Sequence, residues 1–531
     1  MLAVVLSAAA TATDLSKALV LAPVPLADWL VIAPVAWCIL TGALLVMLRG
    51  VPVLQAPLAI AALLILTAMT GGLLWHVSVT GPVTMVMGRW LPPFGIAFTA
   101  DLFGALMAFA ASLVALAGSV FALGDIDAGH RRHGFYPLLL LLMAGVSGAF
   151  LTGDIFNLYV WFEVLLIASF GLLVLGSQRR QIDGAVKYTF LNLVATTLFL
   201  VATGYLYGLF GTLNMADIAL KAEALRGGLP LMTLCGLFLL AFAMKAAAFP
   251  VNFWLPASYH TPRVTVSALF AGLLTKVGIY ALIRTMVMLF PVEREEMSFL
   301  IALVAAFTMI TGVLGALAQT DIRRLLGYLV VSGIGMMLAG IAIGGPGGIG
   351  GAIFYALHSI IVMTALYFTA GIAARIGGTT SIDTLSGLYR PYPLFAALSL
   401  ILFLAVCGLP PFSGLWPKIM LVKASIDIGA WWLTGTMLVT SLLTTIAVGR
   451  VWLLAYWRPM PARASAPTDV VAAAPAAIPL SALLPLLALT GISIAVGVFP
   501  EMVLNAVQQA ASGLNDPSAY IGSVFPGRVL P

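Results

Sequence analysis

The chain is a near-continuous series of apolar stretches, each long enough to cross a lipid bilayer. At about 20 residues per crossing it divides into fourteen, with approximate limits 29–48, 54–75, 101–123, 135–152, 154–176, 184–210, 229–258, 263–290, 297–318, 322–344, 350–375, 391–427, 430–457 and 475–498. The joins are short and carry Gly, Pro, Arg or Asp, as loop chemistry requires. In hydrocarbon every backbone N–H and C=O must be satisfied internally, so stretches of this length cross as helices. Charged residues are 8% of the chain, against about 25% in a soluble domain. The expected fold is an all-α polytopic membrane protein of about fourteen transmembrane helices.

Charge orients the set. With the N-terminus outside, the cytoplasmic side receives twelve basic residues, all arginine: Arg49, Arg131, Arg132, Arg179, Arg180, Arg263, Arg323, Arg324, Arg375, Arg390, Arg458 and Arg463. The opposite side receives six, Lys17, Arg89, Lys221, Arg226, Arg294 and Arg528. That is the direction of the positive-inside bias. An odd count would reverse the later loops and spoil the separation, so both termini are expected outside.

Charges inside the spans are of another kind. Five of the seven lysines, Lys187, Lys245, Lys276, Lys418 and Lys423, lie within or at the ends of apolar stretches, with Arg284, Arg450 and one deep carboxylate, Glu163. A charge at the bilayer centre costs several kcal/mol, roughly 2.5–3.5 on the most lenient scale, so each is a functional candidate. Lysine and glutamate exchange protons when partly desolvated, which arginine does not do near neutral pH. The pattern suits proton movement through a membrane.

Two spans carry a break beside such a lysine. The seventh reads Lys245-Ala-Ala-Ala-Phe-Pro250-Val-Asn252-Phe-Trp-Leu-Pro256, and the twelfth Gly408-Leu-Pro410-Pro411-Phe-Ser413-Gly414-Leu-Trp-Pro417-Lys418. Proline removes a helix hydrogen bond and frees a carbonyl, tolerated at membrane depth where protein or cavity water satisfies it. Lys245 precedes its proline while Lys418 follows Pro410, on spans of opposite direction. This fits two inverted five-helix repeats, spans 4–8 and 9–13, a transporter design with ion sites near the midplane. The expected organisation is an N-terminal extension (1–28), helices 1–3 (29–134), the first repeat (135–290), the second repeat (297–457), helix 14 (475–498) and a C-terminal tail (499–531).

The candidates each have a bland alternative. Glu163, in mid-span 5, is either a neutral acid bonded to a helix backbone or the ion-pair partner that holds the proton of Lys245. Lys245, Lys276 and Lys418 are either proton carriers or snorkelling side chains; Lys187 and Lys423, nearer helix ends, are more apt to snorkel. His358 in span 11 is a buried neutral histidine or a relay. His260, after span 7, is a proton-entry group or a solvated loop residue, and His130 and His133 read as surface residues. Asp154 and Asp321 stand at helix starts, where carboxylates cap. Cys38, Cys235 and Cys407 lie apart in apolar runs as small hydrophobes. No metal spacing or nucleotide loop appears, so no cofactor is expected, and the net charge of +6 needs no nucleic-acid partner. Residues 1–13 lack a basic start and a long apolar centre, so a cleaved signal peptide is not expected.

Phe162-Glu163-Val, Met244-Lys245, Trp254-Leu-Pro256-Ala-Ser-Tyr-His260, Thr265-Val-Ser267 through Thr275-Lys276, and Gln319-Thr-Asp-Ile-Arg-Arg324 resemble the proton-translocating antiporter-like superfamily. That superfamily includes antiporter-like subunits of respiratory complex I and of Mrp-type multisubunit cation/proton antiporters. Lysine at Lys418, where some complex I subunits carry glutamate, is similar to the D-type branch of the Mrp subunits. The resemblance implies a modulating pair Glu163–Lys245, an axis bridged by Lys276 and His358, and a terminus at Lys418. It implies transport of protons against Na+ or K+ by a hetero-oligomer in the bacterial cell (inner) membrane. The alternative is an antiporter-like pumping subunit of a redox-driven complex, either NADH:quinone oxidoreductase or a membrane-bound hydrogenase. The chain departs from the superfamily twice. Ile361-Val-Met363-Thr364 lacks a lysine and Ser332-Gly333 lacks a histidine or glutamine, leaving water, Tyr367 or Thr364 to fill the gaps.

Overall fold

The computed structural model describes residues 19–20, 23–225, 230–459 and 477–526. Most of the extension 1–28 and the charges Lys17, Arg226, Arg463 and Arg528 lie outside the described residues. In chain order the main elements are α1 (Ala33–Met47), α2 (Pro52–Thr80), the strands β1 (Val83–Val86) and β2 (Ala97–Ala100), α3 (Leu102–Asp125), α4 (Phe135–Leu151), α5 (Ile155–Val174) and α6 (Arg179–Phe210). Then come α7 (Leu231–Ala246), a short helix Trp254–Ser258, α8 (Val264–Ile283), α9 (Ser298–Leu317), α10 (Ile322–Ile343), α11 (Gly345–Gly377) and α12 (Pro393–Cys407). α13 (Leu415–Asp427), α14 (Trp431–Val451), α15 (Leu480–Val498), α16 (Glu501–Asn515) and α17 (Ser518–Val524) complete the described chain.

Among the described residues ten helical segments are long and apolar enough to cross a membrane: α2, α3, α5, α6, α8, α9, α10, α11, α14 and α15. α1, α4, α7 and α12 are shorter apolar helices. Each apolar stretch read from the sequence carries one of these helices. The seventh and twelfth are broken as the prolines require: α7 ends before Pro250, and α12 ends before Pro410 and Pro411.

Helix starts follow local chemistry. Asp101 accepts from Gly104 N at 2.9 Å, Asp154 from Asn157 N at 2.8 Å, and Asp321 from Arg323 N and Arg324 N at 2.9 and 3.0 Å. Each satisfies N–H groups that the first turn cannot pair internally.

One construction occurs twice at constant spacing. Gly145 and Gly148 of α4 sit so close to Leu165 and Trp161 of α5 that an added Cβ would overlap them. Gly312 and Gly315 of α9 do the same against Ser332 and Tyr328 of α10. The start of α5 is bridged to the segment after α6 through Asp154 and Asn214, and the start of α10 to the segment after α11 through Asp321 and Ser381. α8 and α14 both run on into a π-helical turn, Arg284–Leu289 and Trp452–Trp457.

Two features differ from the expected loops and tail. Residues 83–100 form an antiparallel hairpin pairing Val83 with Ala100 and Val86 with Ala97, tied to the α4–α5 join by Gly153 N to Ala97 O. The C-terminal region folds into α16 and α17, whose Val507, Ala511, Leu514 and Tyr520 are buried.

Candidate functional site

Four interior titratable residues ride on helices packed in series: α7 carries Lys245, α8 Lys276, α11 His358 and α13 Lys418. α7 packs on α8, α8 on α11, and α11 on α13. α8 is buried from Thr265 to Ile283, so Lys276 is sheathed by protein.

Lys245 is 4% exposed and stands in the last turn of α7. Its Nζ donates to Thr196 Oγ1 of α6 at 2.7 Å and lies 4.8 Å from the centroid of the Phe162 ring. Glu163 follows Phe162 and is turned about 100° further round α5. The two charges lie within electrostatic reach, but the expected direct contact is not made in this conformation. Glu163 Oε1 is buried without a hydrogen-bond partner among the described residues. A void of about 10 Å³ touches Lys245, Asn192, Tyr188 and Leu274 of α8, room for about one water.

The break after α7 is pinned by neutral groups. Trp254 Nε1 donates to the Met244 carbonyl at 3.1 Å, Phe249 N donates to Thr308 Oγ1 at 2.9 Å, and Asn252 Nδ2 to Thr311 Oγ1 at 2.9 Å. Lys276 Nζ donates to Ala271 O of its own helix at 2.5 Å, and the adjacent Thr275 hydroxyl has no partner among the described residues.

The second break differs. Lys418 reaches back from α13 to the end of α12, donating to Val406 O at 3.2 Å and Cys407 O at 2.6 Å. An ammonium suits these carbonyls, which carry the negative end of the helix dipole. Gly408 makes room for it: its φ is +82°, and an added Cβ would lie 2.5 Å from Lys418 Cδ. His358 Nδ1 is 2.8 Å from Ser413 Oγ in the break, and Ser413 Oγ is 2.8 Å from Ser493 Oγ on α15. All three are buried, and His358 lies within electrostatic reach of both Lys276 and Lys418.

The intramembrane arginines are bound otherwise. Arg284 forms a bidentate pair with Asp101 at 2.7 and 2.6 Å, with Tyr280 Oη at 3.0 Å. Arg450 donates to Leu317 O at 2.6 Å and to Gln319 O, closing the C-terminus of α9. Lys245, Lys276 and Lys418 form no ion pair among the described residues; their partners are hydroxyl or carbonyl oxygens.

Lys187 and Lys423 stand outside this row. Lys187 is exposed and pairs with Asp183 at 2.6 Å, and Lys423 is exposed and pairs with Asp427 at 2.7 Å. His260 is half-buried in the turn before α8, with Nδ1 2.9 Å from Pro256 O. Burial and the neighbouring Arg180 charge push its pKa down to about 4. Tyr367 donates to Arg323 O at 3.1 Å and Thr364 to Ile360 O at 2.7 Å, so both hydroxyls are spent on backbone carbonyls. The three cysteines are free and buried.

Sequence reasoning missed Thr196 and Ser493. The available signal was helical spacing: Asn192, Thr196 and Thr203 form a buried polar line on α6, as do Thr490 and Ser493 on α15.

Residues 152–444 match the model of the NADH:quinone oxidoreductase/Mrp antiporter transmembrane family. The chain is 39% identical to the D-type subunit of the Na(+)/H(+) antiporter of Alkalihalophilus pseudofirmus over 84% of its own length and 89% of that protein's. It is 35% identical to the corresponding D-type Na(+)/H(+) antiporter subunit of Bacillus subtilis, over 93% and 99%. Its fold matches a chain of the Mrp complex from Dietzia sp. DQ12-45-1b with a TM-score of 0.86 at 31% identity, covering 94% of this chain and 100% of that one. A chain of respiratory complex I from Thermus thermophilus shares the fold alone, with a TM-score of 0.77 at 24% identity over 92% and 99%. The chain belongs to the NADH:quinone oxidoreductase/Mrp antiporter transmembrane family, on the branch of the D-type Mrp antiporter subunits.

Proposed function

We propose that the chain is the proton-translocating subunit of a multisubunit monovalent cation (Na+ or K+)/proton antiporter. It works beside other membrane subunits in a bacterial cell membrane, with fourteen crossings and both termini outside. The duplicated α4–α6 and α9–α11 constructions support two inverted five-helix units. One observation carries the functional reading: a row of packed helices holds three buried lysines and a buried histidine whose bonded partners are neutral. An amine so held can release a proton and take it back, whereas the ion-paired Arg284 cannot. Glu163 is the modulator: when it pairs with Lys245 it holds the proton there, and when it turns away the proton passes toward Lys276, His358 and Lys418. His260 is a neutral entry group at the cytoplasmic end, and Lys187 has a secondary, surface role.

The test is ion exchange by the complete complex in inverted vesicles, started by adding Na+ or K+. Lys276→Ala and Lys245→Arg should each abolish cation-dependent proton movement in normally assembled complex. Near-normal exchange by both would overturn the proposal.

A further inference from the structure

A cavity among the described residues lies away from the proton-carrying row. It is a groove of about 570 Å³ between α1 and α4, walled by Ile39, Ala43 and Val46 on one side and Leu138 and Leu141 on the other. The helices meet at its floor, where Gly42 of α1 faces Leu140 and Pro137 of α4. From Cys38 at one end to Arg49 at the other, helix geometry gives about 16 Å, close to one leaflet of a hydrocarbon core about 30 Å thick.

The polar mouth is entirely basic: Arg49 follows α1, and Arg132 and His133 precede α4. Neighbouring arginines are already engaged. Arg131 donates to Ile126 O and Leu123 O, and Arg263 pairs with Asp127. The guanidinium groups of Arg49 and Arg132, by contrast, have no partner among the described residues. The start of α4 adds to the field. Its N-cap, Gly134, lines the mouth and supplies no side-chain bond, and the positive end of the helix dipole lies there.

We propose that this groove binds an anionic phospholipid. The phosphate sits between Arg49, Arg132 and the start of α4, and one acyl chain lies along the apolar walls between α1 and α4. The basic mouth needs an anion and the walls need hydrocarbon one leaflet deep; an anionic lipid supplies both in one molecule. The site is independent of the proton-carrying row, so it can fail or hold without bearing on the transport reading.

The experiment uses the intact complex in vesicles containing a photoactivatable phosphatidylglycerol, with adducts mapped by peptide mass spectrometry. Labelling is expected on α1 and α4. Excess phosphatidylglycerol should compete and excess phosphatidylcholine should not. The double substitution Arg49→Gln/Arg132→Gln should lower labelling at least tenfold in equally assembled complex. Ala43→Trp fills the groove, leaves the charges in place and should block labelling independently. The proposal is overturned by absent labelling on α1 and α4, by equal competition from phosphatidylcholine, or by undiminished labelling in both variants. Cross-linking of Ala43→Cys to another subunit seated in the groove would also overturn it.

Discussion

Ser413 gives the sharpest test of the second break. Its hydroxyl stands between His358 Nδ1 and Ser493 Oγ, 2.8 Å from each, and all three groups are out of contact with lipid and bulk water. Ser413→Ala strips a buried partner from His358 and leaves Ser493 unpaired as well. An orphaned buried polar group costs about 1–3 kcal/mol. If that cost falls on the step in which His358 gains or loses its proton, exchange slows about 5- to 150-fold, at about 1.4 kcal/mol per decade. Ser493→Ala keeps the bond to His358 and loses one ordinary hydrogen bond, worth about 0.5–1.5 kcal/mol, so it slows exchange about 2- to 13-fold. Ser413→Thr keeps a hydroxyl and should rescue part of the rate. The assay is dye-reported proton movement in inverted vesicles, normalised to assembled complex. A purely structural role would lower the yield of complex without changing the rate per complex. A wild-type rate for Ser413→Ala, or a larger defect in Ser493→Ala than in Ser413→Ala, refutes the reasoning.

Glu163→Gln keeps volume but cannot hold a proton on Lys245; exchange should vanish with assembly intact, and near-normal rates across several pH values would sink the pairing model. Lys418→Ala should collapse exchange because the ammonium on the end of α12 is lost, whereas Lys423→Ala, which removes an exposed partner of Asp427, should cost little; the reverse pattern would exchange their roles. His260 should stay neutral well below the ordinary histidine range, since its pKa is pushed down to about 4. Its modification by diethyl pyrocarbonate, which needs the neutral ring, should therefore persist at pH 5, and loss of reactivity near pH 6.5 would contradict this environment.

Much of this architecture was legible because a bilayer allows few solutions. A run such as Leu138–Met143, within a longer apolar stretch, reads as helix inside or beside lipid, and Pro250 and Pro411, each beside a charge, mark breaks. The lysines stood out because charge is scarce there. What escaped was whatever depended on partners distant in sequence. Ser493 is one serine in an apolar helix until the fold sets it against Ser413, eighty residues earlier. Thr196 is likewise ordinary until Lys245 arrives from α7. The bond geometry around Glu163 could not be read either, because one residue of helix rotation decides whether Phe162 or Glu163 faces the lysine. The hairpin at 83–100 was hidden by short strands with no long alternation, and α16 by a polar face that reads as tail.

The burial of α8 reaches beyond the placement of Lys276. A helix bathed in lipid must tilt or flex when the bilayer thickens or thins, at a modest cost per ångström of mismatch. Lipid touches little or none of the segment Val264–Leu289, which is 100% buried in its apolar window, whereas α2 is only 33% buried. Changes in membrane thickness are thus taken up by peripheral helices such as α2, and the depth of Lys276 is set by its protein neighbours. A cell that remodels its fatty acids with temperature would keep Lys276 at the same depth and among the same protein neighbours.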